Sequence, residues 1–222
     1  MGPDGTPVAQ ETPPQLRDRR LTAPDVLPPP TDGGFHSSVD RIDAAIRARM
    51  GTTFEPGCPV PIEDLRYVRV TFRGFDGQAH TGEIIVAAKV ADGVVSVFRK
   101  LFAADFPLEE MRLPGTADLD AAPTGDGNDT AAFVCRQSRG STSESAHSYG
   151  LAVDVNPFQN PYVKGDVVLP ELARSYVDRS NVRPGMIRRG DVVTSAFASI
   201  GWKWGGSYAS LKDTMHFSQT GK

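Results

Sequence analysis

An α+β fold is predicted for this chain: a single small domain with an antiparallel sheet and flanking helices. Two runs rich in β-branched residues flank a glycine-containing turn, and apolar residues recur at steps of three and four elsewhere. Strands and helices do not alternate regularly, as a doubly wound parallel sheet would require. The 222 residues leave room for one domain plus a tail, and no internal repeat is visible.

Residues 1–34 read as a linker. Pro3, Pro7, Pro13, Pro14, Pro24 and Pro28-Pro29-Pro30 remove backbone donors and favour extended geometry, so a disordered or semi-rigid tether is expected before a domain over 35–222. From Ser37 to Met50, the spacing of Val39, Ile42, Ile46 and Met50 predicts an amphipathic helix, capped by Ser37 or Ser38 and closed by Gly51. Leu65 to Phe75, the turn Gly74-Phe75-Asp76-Gly77 and the run Gly82 to Val90 predict a β-hairpin. Gly93 to Ala104 reads as a short helix, and the acidic stretch Asp118 to Asp129 as a loop. Thr130 to Cys135 and Leu151 to Val155 read as buried strands, Gly190 to Ile200 as a helix, and Met215 to Phe217 as a closing strand.

A formal net charge of −3 recommends neither a nucleic-acid backbone nor an anionic membrane surface as partner. No apolar run approaches the ~20 residues of a membrane-spanning helix. The first thirty residues lack the charged start and apolar core of a secretory signal, so either the protein is cytosolic or a signal or anchor preceded Met1. The two cysteines, Cys58 and Cys135, are too few and too dispersed for a cysteine metal site. They are either two buried thiols or one disulfide, the latter implying an oxidising compartment.

The chemistry concentrates in Ser145-Ala146-His147-Ser148-Tyr149-Gly150-Leu151-Ala152-Val153-Asp154-Val155. Leu151, Val153 and Val155 alternate with Ala152 and Asp154, which places a carboxylate on the less apolar face of a buried strand. An ionised carboxylate there needs a cation, an arginine or a metal. His147 lies seven positions earlier and would face the other way on a regular strand, but Gly150 permits a bend that lets it approach. In Asp213-Thr214-Met215-His216-Phe217 the apolar pair faces the core and His216 the opposite side. Two imidazoles and one carboxylate form a recurrent catalytic zinc set with an open fourth position, and Asp213 supplies a further carboxylate for proton transfer. The alternative is a backbone-bonded core aspartate with packed or surface histidines. His36 and His80 lack such partners and are expected at the surface.

Ser145-x-His147-x-x-Gly150-x-Ala152-x-Asp154 followed by Asp213-x-x-His216-Phe217 resembles the signature of the D-alanyl-D-alanine carboxypeptidase and L-alanyl-D-glutamate peptidase family. That family shares a zinc-site fold with lysostaphin-type peptidases and the hedgehog signalling domain. Gly74-Phe75-Asp76-Gly77, Ala132-Phe133-Val134-Cys135-Arg136, Asn156-Pro157-Phe158-Gln159-Asn160-Pro161-Tyr162 and Gly201-Trp202-Lys203-Trp204-Gly205-Gly206 resemble its cell-wall members. The resemblance runs from about Phe35 to His216.

It implies that His147, Asp154 and His216 are zinc ligands and Asp213 the general base. Arg136 would stabilise the oxyanion, unless it serves as a structural partner of a loop aspartate. Ser145 would contact substrate or fix its loop, and Trp204 would contact substrate if Trp202, Trp204 and Tyr208 wall a cleft rather than cover the core. Several relatives carry glutamate at the base position, where this chain has aspartate. The implied substrate is the peptidoglycan stem peptide, which places the enzyme outside the cytoplasm or at the cell wall; a monomer is expected. Two alternatives stand beside it: a catalytically silent, zinc-stabilised binding module, and a phage-type L-alanyl-D-glutamate endopeptidase.

Overall fold

The computed structural model describes residues 8–120, 125–138 and 142–221. Between Ser37 and Met50, where the sequence predicts one helix, it has strand β1 (Ser37–Asp40) and then helix α1 (Ala44–Met50). Asp43, not a serine, caps α1 by accepting the Ile46 N–H at 2.8 Å. The residues before it pair antiparallel with β2 (Leu65–Gly74) instead of coiling.

The predicted hairpin is the centre of the molecule. β2 pairs antiparallel with β3 (Ala79–Ala87) from Leu65↔Ala87 to Arg73↔Ala79. Alternation along both strands divides their side chains between two faces. Val68, Val70, Phe72, Ile84 and Val86 join the main core with Val94, Val97, Phe98 and Leu101 of helix α2 (Ala91–Ala103). Leu65, Tyr67 and Ile85 pack on the other side with Met50, Leu113 and Phe133. Strand β4 (Pro107–Leu108) joins β2 in parallel, and the short helix α3 (Thr116–Asp120) opens the stretch read as an acidic loop. Residues 121–124 of that loop lie outside the described residues.

The outer edge of β3 is closed by four separate segments rather than by a strand. Leu27 bridges Thr81, and the Glu83 N–H donates to Met111 O. The Phe133 N–H donates to Ile85 O, and the Ala87 N–H to Gly150 O. The predicted strand 130–135 is therefore an extended connector whose successive residues bond to different partners. Ala131 exchanges both backbone bonds with Asp154, and the Cys135 N–H donates to Thr53 O.

Two small sheets complete the fold. One has the order β5 (Ala152–Asp154), β10 (His216–Ser218), β8 (Lys203–Trp204); the other has β7 (Val167–Leu169), β6 (Tyr162–Lys164), β9 (Lys212–Asp213). Helix α4 (Val192–Ala198), capped by Asp191, brings Phe197 onto Phe217 at a ring separation of 4.1 Å. The molecule is thus mixed α and β with antiparallel pairing predominating.

The proline-rich start departs from expectation. Residues 1–7 lie outside the described residues, but 8–34 lie along the body rather than forming a loose tether. Arg19 is buried, makes a two-pronged ion pair with Glu109 (2.6 and 2.7 Å), reaches Asp126 at 3.1 Å and lies over the Phe158 ring. Thr12 is buried against Leu172 and Ser175, and Ala9 and Leu16 pack on the Phe158–Tyr176 cluster. Proline removes donors but does not prevent such anchors from docking. His80, expected at the surface, is also buried: it stacks on Phe72 and bridges Asp25 of this segment and Asp76 of the hairpin turn. His36 is exposed beside Asp32. Of the two alternatives for the cysteines, the structure has the disulfide Cys58–Cys135, with Cα atoms 5.8 Å apart.

Candidate metal centre and active cleft

The site is assembled where the two small sheets meet. Ser145 caps the 3₁₀ turn Ala146–Tyr149, its hydroxyl accepting the His147 N–H at 3.3 Å. Gly150 ends that turn at φ 64°, in the left-handed region. A Cβ on Gly150 would stand 2.5 Å from the Ala87 nitrogen, so glycine is required both for the bend and for docking on β3. The chain then enters β5, whose last residue, Asp154, stands opposite His216 in register. The expected bend at Gly150 is what brings His147 to the face of Asp154.

The three side chains converge. His147 Nδ1 donates to Ala132 O at 2.5 Å, which fixes the tautomer and leaves Nε2 as the free lone pair. That nitrogen lies 3.3 Å from His216 Nδ1 and 3.3 Å from Asp154 Oδ2, and His216 Nδ1 lies 2.9 Å from Asp154 Oδ1. A tetrahedral zinc with ligands at about 2.0–2.2 Å has edges of about 3.3–3.6 Å, close to these separations. Nitrogen and carboxylate donors in this number are what zinc takes, and each residue offers one ligand atom within 4.8 Å of the others. The residues present therefore fit the ion. Burial alone would push the Asp154 carboxyl up, but His147 and His216 outweigh it and hold the group well below the usual carboxylate range.

Asp213 ends β9, three residues before His216, and the intervening Thr214 and Met215 carry the chain from one small sheet to the other. The Val155 N–H donates to Met215 O, and Thr214 Oγ1 donates to Pro161 O, which holds that crossing in place. Asp213 Oδ1 is buried with no hydrogen-bond partner among the described residues. Burial, and secondarily Asp154, push its carboxyl up to about 7, opposed by His216 and Arg136.

The triad and Asp213 line a cleft of about 540 Å³ together with Arg136 and Ser145. Arg136 is held through its backbone: its N–H donates to Ser148 Oγ, and that hydroxyl donates back to Arg136 O at 2.6 Å. Its guanidinium donates to Gln137 O at 3.3 Å and acts electrostatically on Asp213.

Trp204 lies elsewhere. Its indole N–H donates to Thr214 O at 2.9 Å and its ring lines a second cavity, while Trp202 is buried in the core against Phe197. Tyr208 alone of the three aromatics lines the cleft, joined by Tyr162. Glu110, Arg112, Asp118 and Asp129, which carry no motif in the sequence, also line the cleft. There Arg112 pairs with Glu110 and two-pronged with Asp118, and its backbone N–H donates to Asp129. No regular spacing marks those residues; only the fold gathers them.

Residues 139–219, which carry His147, Asp154, Asp213 and His216, match the family model described as D-alanyl-D-alanine carboxypeptidase. Arg136 lies just before the matched segment. No curated protein and no solved structure matches the chain.

Proposed function

With residues 139–219 carrying the pattern of the D-alanyl-D-alanine carboxypeptidase family, we propose that the chain is a zinc-dependent peptidase of peptidoglycan stem peptides, acting first on the terminal D-alanine. The observation that carries this is the convergence of His147, Asp154 and His216 beside an unpartnered Asp213 oxygen in one cleft. His147, Asp154 and His216 would hold the ion, which when bound supplies Lewis-acid polarisation and a lowered water pKa. Asp213 Oδ1 is the group that accepts the proton of the attacking water and returns it to the leaving amine. Arg136 places a planar cation at the cleft wall, where charge on the former carbonyl oxygen develops. Ser145 acts by fixing the turn that aims His147. The Cys58–Cys135 bridge supports an extracellular or wall-associated location, where disulfides persist. We take the enzyme to act as a monomer.

The test combines metal analysis with product mass. Purified chain should bind one zinc and release D-alanine from pentapeptide muropeptides, and His147→Ala should lose both properties. Cleavage inside the stem would reassign the enzyme as an endopeptidase. Zinc-loaded protein that leaves every muropeptide intact would favour the silent binding module and overturn the proposal.

A further inference from the structure

The cavity lined by Trp204 measures about 320 Å³ and lies back to back with the catalytic cleft across the β6–β9 pair. Tyr162 and Asp213, opposed in register, line the cleft; Val163 and Lys212, the next opposed pair, line the second cavity. Successive residues of a strand face opposite ways, so one two-stranded wall serves both spaces.

The second cavity is one-sided in charge. Arg179, Arg188, Arg189 and Lys212 line it, and among the described residues no carboxylate does. Asp191, which acts on Arg179 from a distance, spends its carboxylate on the N–H groups of Arg188 and Thr194. Arg179 donates only to neutral acceptors: the backbone oxygens of Gln159, Tyr176 and Ile187 and the side-chain oxygen of Asn160. Burial, then Arg183, push its pKa down to about 10, as for a cation without a counter-ion. Trp204 supplies an apolar surface between these groups. Gly206 lies so close to the indole that a Cβ there would stand 2.3 Å from the ring, so the loop can pass Trp204 only with glycine.

We propose that this cavity binds a small organic anion carried on a ring, with the ring against Trp204 and the acid on the Arg188, Arg189 and Lys212 rim. Carboxylated and phosphorylated sugars share this chemistry: a C–H face for the indole and two acceptor oxygens for a guanidinium fork. The inference is independent of the peptidase reading, because it uses neither the triad nor Asp213.

The experiment follows the Trp204 indole N–H by NMR while the full chain is titrated with N-acetylmuramic acid, an N-acetylglucosamine phosphate, or neutral N-acetylglucosamine. A saturable shift with either acid, and none with the neutral sugar, is expected; which acid binds identifies the source of the anion. Arg188→Gln combined with Arg189→Gln removes two exposed charges and should weaken binding at least about tenfold with Tm unchanged. Should that variant lose stability, the salt dependence of Kd in the parent protein decides the question, affinity falling as ionic strength rises. Absence of saturation by both acids, equal binding of the neutral sugar, undiminished binding by a stable double variant, or a Kd indifferent to salt would each overturn the proposal.

Discussion

Asp213 Oδ1 sits in the cleft without the hydrogen bond that a buried carboxylate oxygen ordinarily finds. Asp213→Asn keeps the shape, removes the carboxylate proposed to accept the proton and leaves His147, Asp154 and His216 unchanged. It should retain one zinc per chain while kcat falls about a hundred- to ten-thousand-fold. Metal content and turnover measured on one preparation check this, and parental turnover would remove Asp213 from its role. At this scale the sequence is informative where direction follows from spacing. The odd interval between His147 and Asp154 demands a bend, Gly150 is the residue able to provide one, and its φ is indeed positive. Trp204 departs from its expected place because nothing in a glycine-flanked aromatic says which side of a strand pair it will cover. His80 departs from the surface because its carboxylate partners, Asp25 and Asp76, come from a distant segment and a turn.

The element whose behaviour differs most from its composition is the proline-rich start. Its hold on the body rests on a few side chains, of which Arg19 is the most deeply engaged. Arg19→Met would leave Glu109 buried with Asn128 as its remaining side-chain donor, and should cost about 3–5 kcal/mol, read from denaturant unfolding. The double change Arg19→Met with Glu109→Met should cost less than the sum of the two single changes. A second tie is titratable. Burial pushes the His80 imidazole down, but its bonds to Asp25 and Asp76 more than offset this, so its pKa in the folded chain is raised above 6.5. A raised histidine stabilises the fold below its unfolded pKa, and that contribution is lost as pH rises through the folded value. The stability difference between parent and His80→Gln should therefore shrink as pH rises above 6.5. A constant difference across that window would show that the ring acts only by packing on Phe72. The hairpin is legible because period-two alternation and a turn signal coincide over a long stretch of continuous pairing, from Leu65 to Ala87. β1 is not, because the steps between Val39 and Ile42 suit a helix as well as a strand followed by a cap.

For the molecule as a whole, the disulfide is the long-range constraint that is easiest to remove. It joins residues 77 positions apart, linking the loop after α1 to the connector that delivers Arg136 to the cleft. Replacing both Cys58 and Cys135 by serine should lower stability by about 2–4 kcal/mol, seen as a lower denaturant midpoint with an unchanged native spectrum. An unchanged midpoint would mean that packing alone holds the connector. The overall class is legible from composition and periodicity, but the meeting of two small sheets is not. Strands of two or three residues carry too little pattern, and their pairing is decided by partners far away in the chain. The stitched edge of β3 has a further consequence, for the order in which the protein can be made. Thr81, Glu83, Ile85 and Ala87 find their outer partners at Leu27, Met111, Phe133 and Gly150. A chain emerging from the ribosome has the hairpin complete long before three of those partners exist. During that interval the nascent chain carries a β edge only partly covered, open to pairing with a neighbour, and it is released from that hazard only as the half carrying His147, Asp154 and His216 is synthesised.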